Sequence, residues 1–262
     1  MADQQAAVLR EVRDGIGVIT LNRPEKFNCL SSALMRGVEA ALDAFEADTA
    51  VRVVLIQGNG KTFCTGADLD EVRAARRARD SQEAFIAAIH RMLRRLEASP
   101  LPVVAAVHGL ALAGGLELML ACDVVFAAES ARLGDQHARY GLIPGGGGTQ
   151  RLPRLIGLRR ALDLMFSNRW IEAAEAERWG LVNYVVADGE LFDRTMAYCR
   201  DLAGKSRGGL AEMKRLSRQG LEGSLDAGLA LEEREVIDHL MGADVDEGLD
   251  AFVARREPDF GG

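Results

Sequence analysis

Apolar residues in the first part of the chain switch between strand-like and helix-like spacing. Apolar runs at 8–12 and 16–21 flank Asp14-Gly15, a dipeptide typical of a β-hairpin turn. A third β-rich run covers 53–57. Two amphipathic helices are predicted where apolar residues recur at helical spacing, at Leu34, Val38, Leu42 and Phe45 and at Phe85, Ile89, Leu93 and Leu96.

Polar residues predict where these two helices begin. Ser31 or Ser32 is expected to cap the first helix. Asp80 with Glu83 is expected to form a capping box at the second helix. The segment 71–79, which lies between the two helices, is basic and has few large apolar residues, so we expect it to face solvent.

The middle of the chain predicts further strands separated by glycine turns. Strand-like runs cover 103–107, 122–127 and 131–134, and a helix is expected to open at the glycines of 113–115. A run of four glycines at 145–148 leads into another predicted helix. Together with the earlier elements, this pattern indicates an α/β fold.

Beyond residue 157 the pattern becomes mostly helical. Helices are predicted at 159–167, 171–179, 190–203 and within 209–256. We therefore expect an α/β core domain at 1–203 and a helical C-terminal region at 204–262. The glycine-containing stretch 204–209 is the predicted linker between them.

Composition excludes several classes of protein. Of the 262 residues, 48% are hydrophobic, which allows a sizeable core, and the net charge of −7 argues against nucleic acid as the main partner. The four cysteines are scattered without a CxxC pair, so neither a metal site nor a disulfide framework is expected. We expect no membrane-spanning segment, and because residues 1–12 lack the features of a secretory signal, the cytoplasm is the expected location.

Two predicted strand-to-helix turns carry backbone N–H groups suited to an anion. In the segment 61–69, Gly66 allows a tight turn that can direct the next N–H at a ligand, although many ordinary turns look the same. In the segment 108–117, two glycines open a helix, where unpaired N–H groups stabilise a developing oxyanion. Glu117 lies one turn into this helix, either as a desolvated acid–base group or as a salt-bridged structural carboxylate.

The glycine run at 145–148 resembles a phosphate-binding loop. It lacks both the Lys-Ser/Thr pair of a P-loop and the spacing of a dinucleotide-binding motif. A nucleotide-binding fold is therefore not indicated.

In this order, the three segments resemble the enoyl-CoA hydratase/isomerase (crotonase) family. The resemblance runs from NRPEKFN at 22–28 through GAD at 66–68 and GGLE at 114–117 to IPGGGGTQRLPRLIG at 143–157, and it ends within 247–260. It implies an α/β crotonase fold of stacked strand–strand–helix turns with a helical C-terminal trimerisation region. It also implies an acyl-CoA substrate, no cofactor beyond that CoA, and a homotrimer or a hexamer of two trimers.

The resemblance further implies roles for individual residues. Ala67 and Gly114 would supply the two N–H groups of an oxyanion hole, and Glu117 would be the main acid–base residue. The substrate- and CoA-binding positions it implies are Lys26, Gly66, Asp68 and Leu69, together with Phe252 and Arg255, which match positions that can reach a neighbouring subunit's CoA.

The chain departs from the family pattern at position 137, where hydratases carry a second glutamate and this sequence has His137. Three interpretations follow, because a Glu–His pair can also divide acid and base roles. Glu117 and His137 together hydrate a 2-enoyl-CoA, or they serve isomerisation, decarboxylation or C–C cleavage, or His137 is structural and Glu117 acts alone. We expect the first, with Asp135 a less favoured substitute base. A CoA-binding scaffold with weak or no catalysis is the alternative from another class.

Overall fold

Two β-sheets form the framework of the part of the chain that the computed structural model describes, residues 6–261. The strands are β1 (Val8–Arg13), β2 (Ile16–Leu21), β3 (Val53–Gly58), β4 (Val103–Val107), β5 (Leu110–Leu112), β6 (Val124–Ala128), β7 (Arg132–Gly134), β8 (Ile171–Glu172) and β9 (Tyr184–Val186). The larger sheet has the order β1-β2-β3-β4-β6-β9, and the smaller has the order β5-β7-β8. The predictions for residues 1–5 and 262 lie outside the described residues.

Helices cover the sheets and make up the end of the chain. They are α1 (Ser32–Ala47), α2 (Leu69–Ala75), α3 (Arg79–Ala98), α4 (Gly114–Leu120), α5 (Gly148–Ile156), α6 (Leu158–Ser167), α7 (Ala173–Arg178), α8 (Leu191–Ala203), α9 (Arg207–Gly220), α10 (Leu225–Leu240) and α11 (Ala243–Ala254). The apolar stripes predicted for α1 and α3 are buried in the core, as the helical spacing of their residues requires.

The parallel part of the larger sheet brings distant turns together. Strands β2, β3, β4, β6 and β9 run parallel to one another, and β1 joins β2 antiparallel across the predicted hairpin. The carboxyl ends of parallel strands lie at one edge of a sheet. The turns that follow β3 and β4 therefore meet, and short parallel bridges join Leu30 to Ala67 and Cys64 to Ala111.

Most of the predicted elements are confirmed, and the differences have local causes. The segment 71–79 contains no buried residue, as expected, and α2 occupies its first half, because the Asp68 side chain accepts the N–H groups of Asp70 and Glu71 and so caps this helix. The capping box at Asp80 is wrong. Helix α3 begins at Arg79, so its N-cap is Ala78, two positions before Asp80, and no side chain caps it.

Two further differences lie in the second half of the chain. The predicted helix 171–179 begins only at Ala173, because residues 171–172 pair with β7 as an edge strand. The predicted linker 204–209 is shorter than expected, since Ser206 caps α9 through the Gly209 N–H and the helix begins at Arg207. No helix in residues 6–261 combines the length and the low polarity that crossing a bilayer requires.

Candidate active site

Two backbone N–H groups meet where the turn after β3 approaches the start of α4. The Leu30 N–H bonds to the Gly66 carbonyl at 2.7 Å and the Asp68 N–H bonds to the Leu30 carbonyl at 2.9 Å, so the Ala67 N–H between them faces away from Leu30. Gly114 is the first residue of α4, where an N–H has no acceptor within the helix. Within residues 6–261, neither N–H donates a hydrogen bond.

Glycines are needed at this meeting point because the two backbones are almost in contact. A Cβ added to Gly114 would lie 3.3 Å from the Ala67 nitrogen, and one added to Gly66 would lie 3.3 Å from the Gly114 nitrogen. Gly66 also has a φ of +113°, a conformation that favours glycine. The arrangement places two backbone donors side by side, and their use as an oxyanion hole stays a prediction.

Ala113 holds the second donor in place through a strained backbone. Its φ is 50° and its ψ is −120°, far from the conformations that a residue with a Cβ prefers. Its N–H bonds to the Gly134 carbonyl at 2.9 Å, and its carbonyl accepts the Glu117 N–H at 3.0 Å. Backbone strain of this kind persists only where surrounding contacts fix it, and it concentrates at functional sites.

Glu117 is a buried carboxylate held by the glycine run. Glu117 is only 2% exposed, and its Oε1 accepts hydrogen bonds from the N–H groups of Gly146 at 2.7 Å and Gly148 at 2.8 Å. Burial raises the pKa of Glu117 above its ordinary value, although the two N–H groups and the nearby His137 favour the ionised form. The run at 145–148, which resembles a phosphate-binding loop in sequence, thus binds a carboxylate of the protein itself.

His137 is paired with Asp135. The imidazole Nδ1 lies 3.0 Å from each carboxylate oxygen of Asp135. The backbone N–H of His137 also donates to this carboxylate at 3.0 Å, and Asp135 is only 1% exposed. Burial acts to lower the pKa of His137, but the hydrogen bond and charge of Asp135 and the charge of Glu117 outweigh it, so this pKa lies above its ordinary value. The geometry assigns the Nδ1 proton to the bond with Asp135 and leaves Nε2 for other contacts.

Glu117, His137 and Asp135 therefore form one electrostatic group. The charge of His137 lowers the pKa of Glu117, the charge of Glu117 raises that of His137, and Asp135 acts on both. A carboxylate base and an imidazolium acid can coexist in such a group, because each stabilises the charged form of the other. Asp135 contacts the imidazole of His137 through both carboxylate oxygens, and its use as a substitute base stays the less favoured prediction.

The residues predicted along the CoA and acyl groups form a second cluster beside the two donors. Lys26 ends a short 3₁₀ helix, and its Nζ lies 3.0 Å from the Asp70 carboxylate at the start of α2. The Leu69 side chain is exposed. The Asp68 carboxylate, by contrast, is occupied, because it accepts a hydrogen bond from Arg23 at 2.8 Å and caps α2.

Phe252 and Arg255 lie at the end of α11. Phe252 is 82% exposed, and Arg255 ends the helix in a left-handed conformation. In the described part of the chain, neither side chain shares a hydrogen bond or an ion pair with Glu117, His137 or the two backbone donors. A role for them at the CoA of a neighbouring subunit stays a prediction.

Other reactive groups are accounted for by their surroundings. Complete burial raises the pKa of the Cys64 thiol to about 12, which removes it as a nucleophile at neutral pH. The His108 Nε2 lies 3.0 Å from the Gly60 carbonyl and serves the turn after β3. Among residues 6–261, no three His, Cys, Asp or Glu side chains come together as metal ligands.

The sequence provided weaker signals for the residues that support the site. Gly146 and Gly148 were visible only as members of a glycine run, and such a run exposes backbone N–H groups to any anion, including a buried carboxylate. Asp135 stands two positions before His137, a spacing that suits an acid–imidazole contact within one turn. Arg151, which bonds to the Gly146 carbonyl at 2.6 Å, carried no signal beyond its place near the run.

Comparison with known proteins identifies the class to which this fold and site belong. The family model described as Enoyl-CoA hydratase/isomerase matches residues 11–262. The chain therefore belongs to the enoyl-CoA hydratase/isomerase, or crotonase, family, and it is an enzyme with the crotonase fold.

Individual relatives are similar to this protein over nearly the whole chain. A protein of Rhizobium meliloti (strain 1021) named "Probable enoyl-CoA hydratase" is 38% identical over 253 residues, which cover 97% of each chain. The mitochondrial methylglutaconyl-CoA hydratase of Mus musculus is 38% identical over 259 residues, covering 97% of this chain and 82% of that protein. The crystal structure of an enoyl-CoA hydratase from Bacillus anthracis matches with a TM-score of 0.92 and 35% identity, covering 97% of this chain and 98% of the other.

Proposed function

We propose that this enzyme adds water to the double bond of a 2-enoyl-CoA thioester. The observation that supports the proposal most strongly is the position of Glu117, one helical turn beyond the Gly114 N–H and electrostatically coupled to His137. The thioester carbonyl would accept the Ala67 and Gly114 N–H groups. These donors would stabilise the enolate oxygen that forms when a nucleophile attacks, by about 3 kcal/mol each in a site of this kind.

Glu117 is the base in the proposed reaction. Its Oε1 is bound by Gly146 and Gly148, which leaves Oε2 to accept a proton from water. The water oxygen bonds to C3 of the substrate, its proton passes to Glu117, and the C2–C3 π electrons move to form the enolate. The two bound N–H groups favour the ionised carboxylate and so oppose the effect of burial on the pKa of Glu117.

His137 is the acid that completes the reaction. The enolate collapses to the thioester as C2 takes a proton from His137 Nε2, so that the elements of one water molecule have been added. Asp135 and Glu117 keep the pKa of His137 raised, which favours the imidazolium that this step consumes. The proton on Glu117 then restores His137, directly or through solvent, and the cycle can begin again.

The proposed reaction requires no cofactor, because CoA enters as part of the substrate. We also propose that the chain assembles as a trimer, or as two paired trimers, through its helical C-terminal region. This region carries exposed apolar side chains that a monomer would leave in water, among them Leu225, Leu229, Ile237, Leu240 and Met241. Light scattering coupled to size-exclusion chromatography measures the mass of the assembly directly and so tests whether it is a trimer or a hexamer.

Labelled water separates hydration from the other reactions of the family. Purified protein is incubated with a panel of acyl-CoA thioesters in H₂¹⁸O, and the panel includes straight-chain enoyl-CoAs and methylglutaconyl-CoA. We expect a product that retains CoA and gains one water with the label at C3. A new product with the mass of the substrate would indicate isomerisation, loss of CO₂ would indicate decarboxylation, and a cleaved acyl chain would indicate C–C hydrolysis.

Replacing the base tests the same proposal at one residue. In Glu117→Gln the carboxylate is lost while the shape is kept, and we expect kcat to fall at least about hundredfold with little change in KM. Unchanged turnover in this variant would remove Glu117 from the mechanism. Tight CoA binding by the wild type without turnover of any thioester would favour the binding scaffold instead.

A further inference from the structure

A charged side chain lies directly behind the loop that holds Glu117. The Arg151 Nη1 donates to the Gly146 carbonyl at 2.6 Å, and Gly146 is the residue whose N–H bonds to Glu117 Oε1. The Arg151 N–H also bonds to the Gly147 carbonyl at 2.8 Å. The Arg151 side chain thus fixes the Gly146 carbonyl, and the backbone of the same residue fixes the next carbonyl of the turn that separates the two donors to Glu117.

The turn has the shape that this contact requires. Gly147 has a φ of +98°, and a Cβ at this position would lie 2.1 Å from Arg151 Nη1, so the guanidinium packs against the bare Cα. A Cβ at Gly146 would lie 2.7 Å from Glu117 Oε2 on the other side. The glycines therefore form a thin layer of backbone between the carboxylate and the guanidinium.

Arg151 is itself held in a defined position. Its Nε and Nη2 donate to the two carboxylate oxygens of Glu97 at 2.7 and 2.6 Å, a bidentate pair in which both side chains are mostly buried. Burial would raise the pKa of Glu97, but Arg151 and then Arg218 outweigh it, so this pKa lies below its ordinary value and the pair is ionised at neutral pH.

The ion pair between Arg151 and Glu97 continues into the C-terminal helices. Arg218 of α9 contacts Glu97 at 3.3 Å and Asp123 at 2.7 Å, and Lys214 of α9 contacts Asp123 at 2.7 Å. Residues of α3, α5 and α9 therefore share one ionic network whose inner end is the Gly146 carbonyl. Movement of Arg151 would alter the backbone that orients both N–H donors to Glu117.

We propose that Arg151, anchored by Glu97, is a positioning residue for Glu117, which it orients by fixing the turn at Gly146 and Gly147. The inference rests on the proposed role of Glu117 in catalysis, but its physical content is the hydrogen bonding of that carboxylate. Loss of Arg151 would loosen the two N–H bonds to Oε1. Because these bonds favour the ionised form and fix Oε1, their loss raises the pKa of Glu117, lowers the fraction of the carboxylate that is ionised, and leaves Oε2 less well positioned.

The test measures the carboxylate directly as well as turnover. The pKa of Glu117 is read from ¹³C NMR of protein labelled at the glutamate carboxyl carbons, with Glu117→Gln used to assign the signal. We expect Arg151→Met to raise this pKa by about one unit, and to lower kcat about tenfold with KM changed less than about twofold. Arg151→Lys is expected to recover part of the shift, since one ammonium cannot replace the bidentate pair.

Two further variants separate positioning from folding. Arg154→Met removes an exposed arginine of the same helix, whose Nη1 donates to the carbonyl and side-chain oxygens of Gln150, and it should shift neither the pKa of Glu117 nor kcat. Arg151→Met with Glu97→Gln removes the carboxylate that the single change leaves without its main partner, so this double variant should regain stability and keep the shifted pKa.

The inference is overturned if Arg151→Met and the double variant lose thermal stability alone, with the pKa of Glu117 equal to that of the Arg154→Met control. Failure of the proposed function has a different signature. In that case the wild type turns over no enoyl-CoA, while the NMR titration still decides whether Arg151 controls the Glu117 carboxylate.

Discussion

The Asp135 carboxylate contacts the Nδ1 atom of His137 through both of its oxygens, each at 3.0 Å. The two residues stand two positions apart, and the His137 N–H bonds to the same carboxylate. This contact fixes the imidazole at the position where the family resemblance implies a glutamate. In the proposed mechanism the pair presents Nε2 as the proton donor, and the charge of Asp135 offsets the cost of burying an imidazolium.

Removing the charge of Asp135 should narrow the pH range of activity. Because the pKa of His137 is raised and the protonated form is the proposed acid, activity is lost as pH rises through this pKa. In Asp135→Asn the pKa falls toward or below 6.5, the ordinary value for histidine, so the alkaline limb of the kcat profile moves to lower pH. The profile is measured with the best substrate of the thioester panel.

The acidic limb is the internal control for this experiment. It belongs to Glu117, whose raised pKa means that activity is lost as pH falls through a value above 4.5. Asp135 raises the pKa of Glu117, so its removal should move this limb slightly to lower pH. An alkaline limb that stays in place in Asp135→Asn would show that His137 is not the acid.

A methyl group at Gly66 should damage catalysis more than folding. The new Cβ would lie 3.1 Å from Ala113 Cβ and 3.3 Å from the Gly114 nitrogen, and the backbone φ of +113° is unfavourable for alanine. We expect Gly66→Ala to lower kcat about hundredfold, the effect of losing one oxyanion donor, and to cost about 1–2 kcal/mol of stability.

Gly189→Ala is the matched control for that substitution. It places the same methyl group where no atom lies within 4 Å, at a glycine without a positive φ. Activity and urea midpoint should both stay close to those of the wild type. Equal losses in the two alanine variants would contradict a specific role for the Gly66 turn.

Asp68 is expected to matter for stability rather than for substrate affinity. Burial acts to raise the pKa of Asp68, but Arg23 and the N–H groups of Glu71 and Asp70 outweigh it, so the pKa lies below 3.8. Its contribution to stability is present above the unfolded pKa and is lost as pH falls through the folded one. Asp68→Asn keeps a helix cap and loses the ion pair, which should cost about 1–3 kcal/mol at pH 7.

Urea denaturation at several pH values checks this prediction. The difference between wild type and Asp68→Asn should shrink as pH falls below about 4, where the wild-type carboxyl also loses its charge. Asp70→Asn is the control, because Asp70 pairs with Lys26 in solvent and an exposed pair contributes little. A large rise in KM for Asp68→Asn with unchanged stability would instead place Asp68 at the substrate.

Local pattern was sufficient for most of the framework. The hairpin at Asp14-Gly15 and the buried faces of α1 and α3 follow from periods of two and about four residues, which are properties of single elements. The edge pairing at 171–172 was missed because it depends on β7, nearly forty positions away in the chain, as the pairing of Leu133 with Ile171 shows. The spacing of apolar residues within one segment does not show which distant strand the segment pairs with.

The site was predictable only in part, for a related reason. The donors at Ala67 and Gly114 come from turns whose glycines are visible in the sequence. The partners of Glu117 are Gly146 and Gly148, 29 and 31 positions later, and only the folded turn shows that their N–H groups converge on one oxygen. The strain at Ala113 is likewise invisible, because alanine does not signal a φ of 50°.

Restoring a glutamate at position 137 tests whether the surroundings have adapted to histidine. His137→Glu alone would place a third carboxylate beside Glu117 and Asp135, and the mutual repulsion would raise their pKa values and favour protonated forms. We therefore expect the single variant to hydrate enoyl-CoA more slowly than the wild type. Neutralising the remaining charge in Asp135→Asn with His137→Glu should recover at least about tenfold of this loss. The rates are measured from the loss of ultraviolet absorbance as the conjugated enoyl thioester is hydrated. The doubly substituted protein is compared with each single variant. If His137→Glu alone exceeded the wild type, the Asp135–His137 pair would be adapted to a reaction other than hydration.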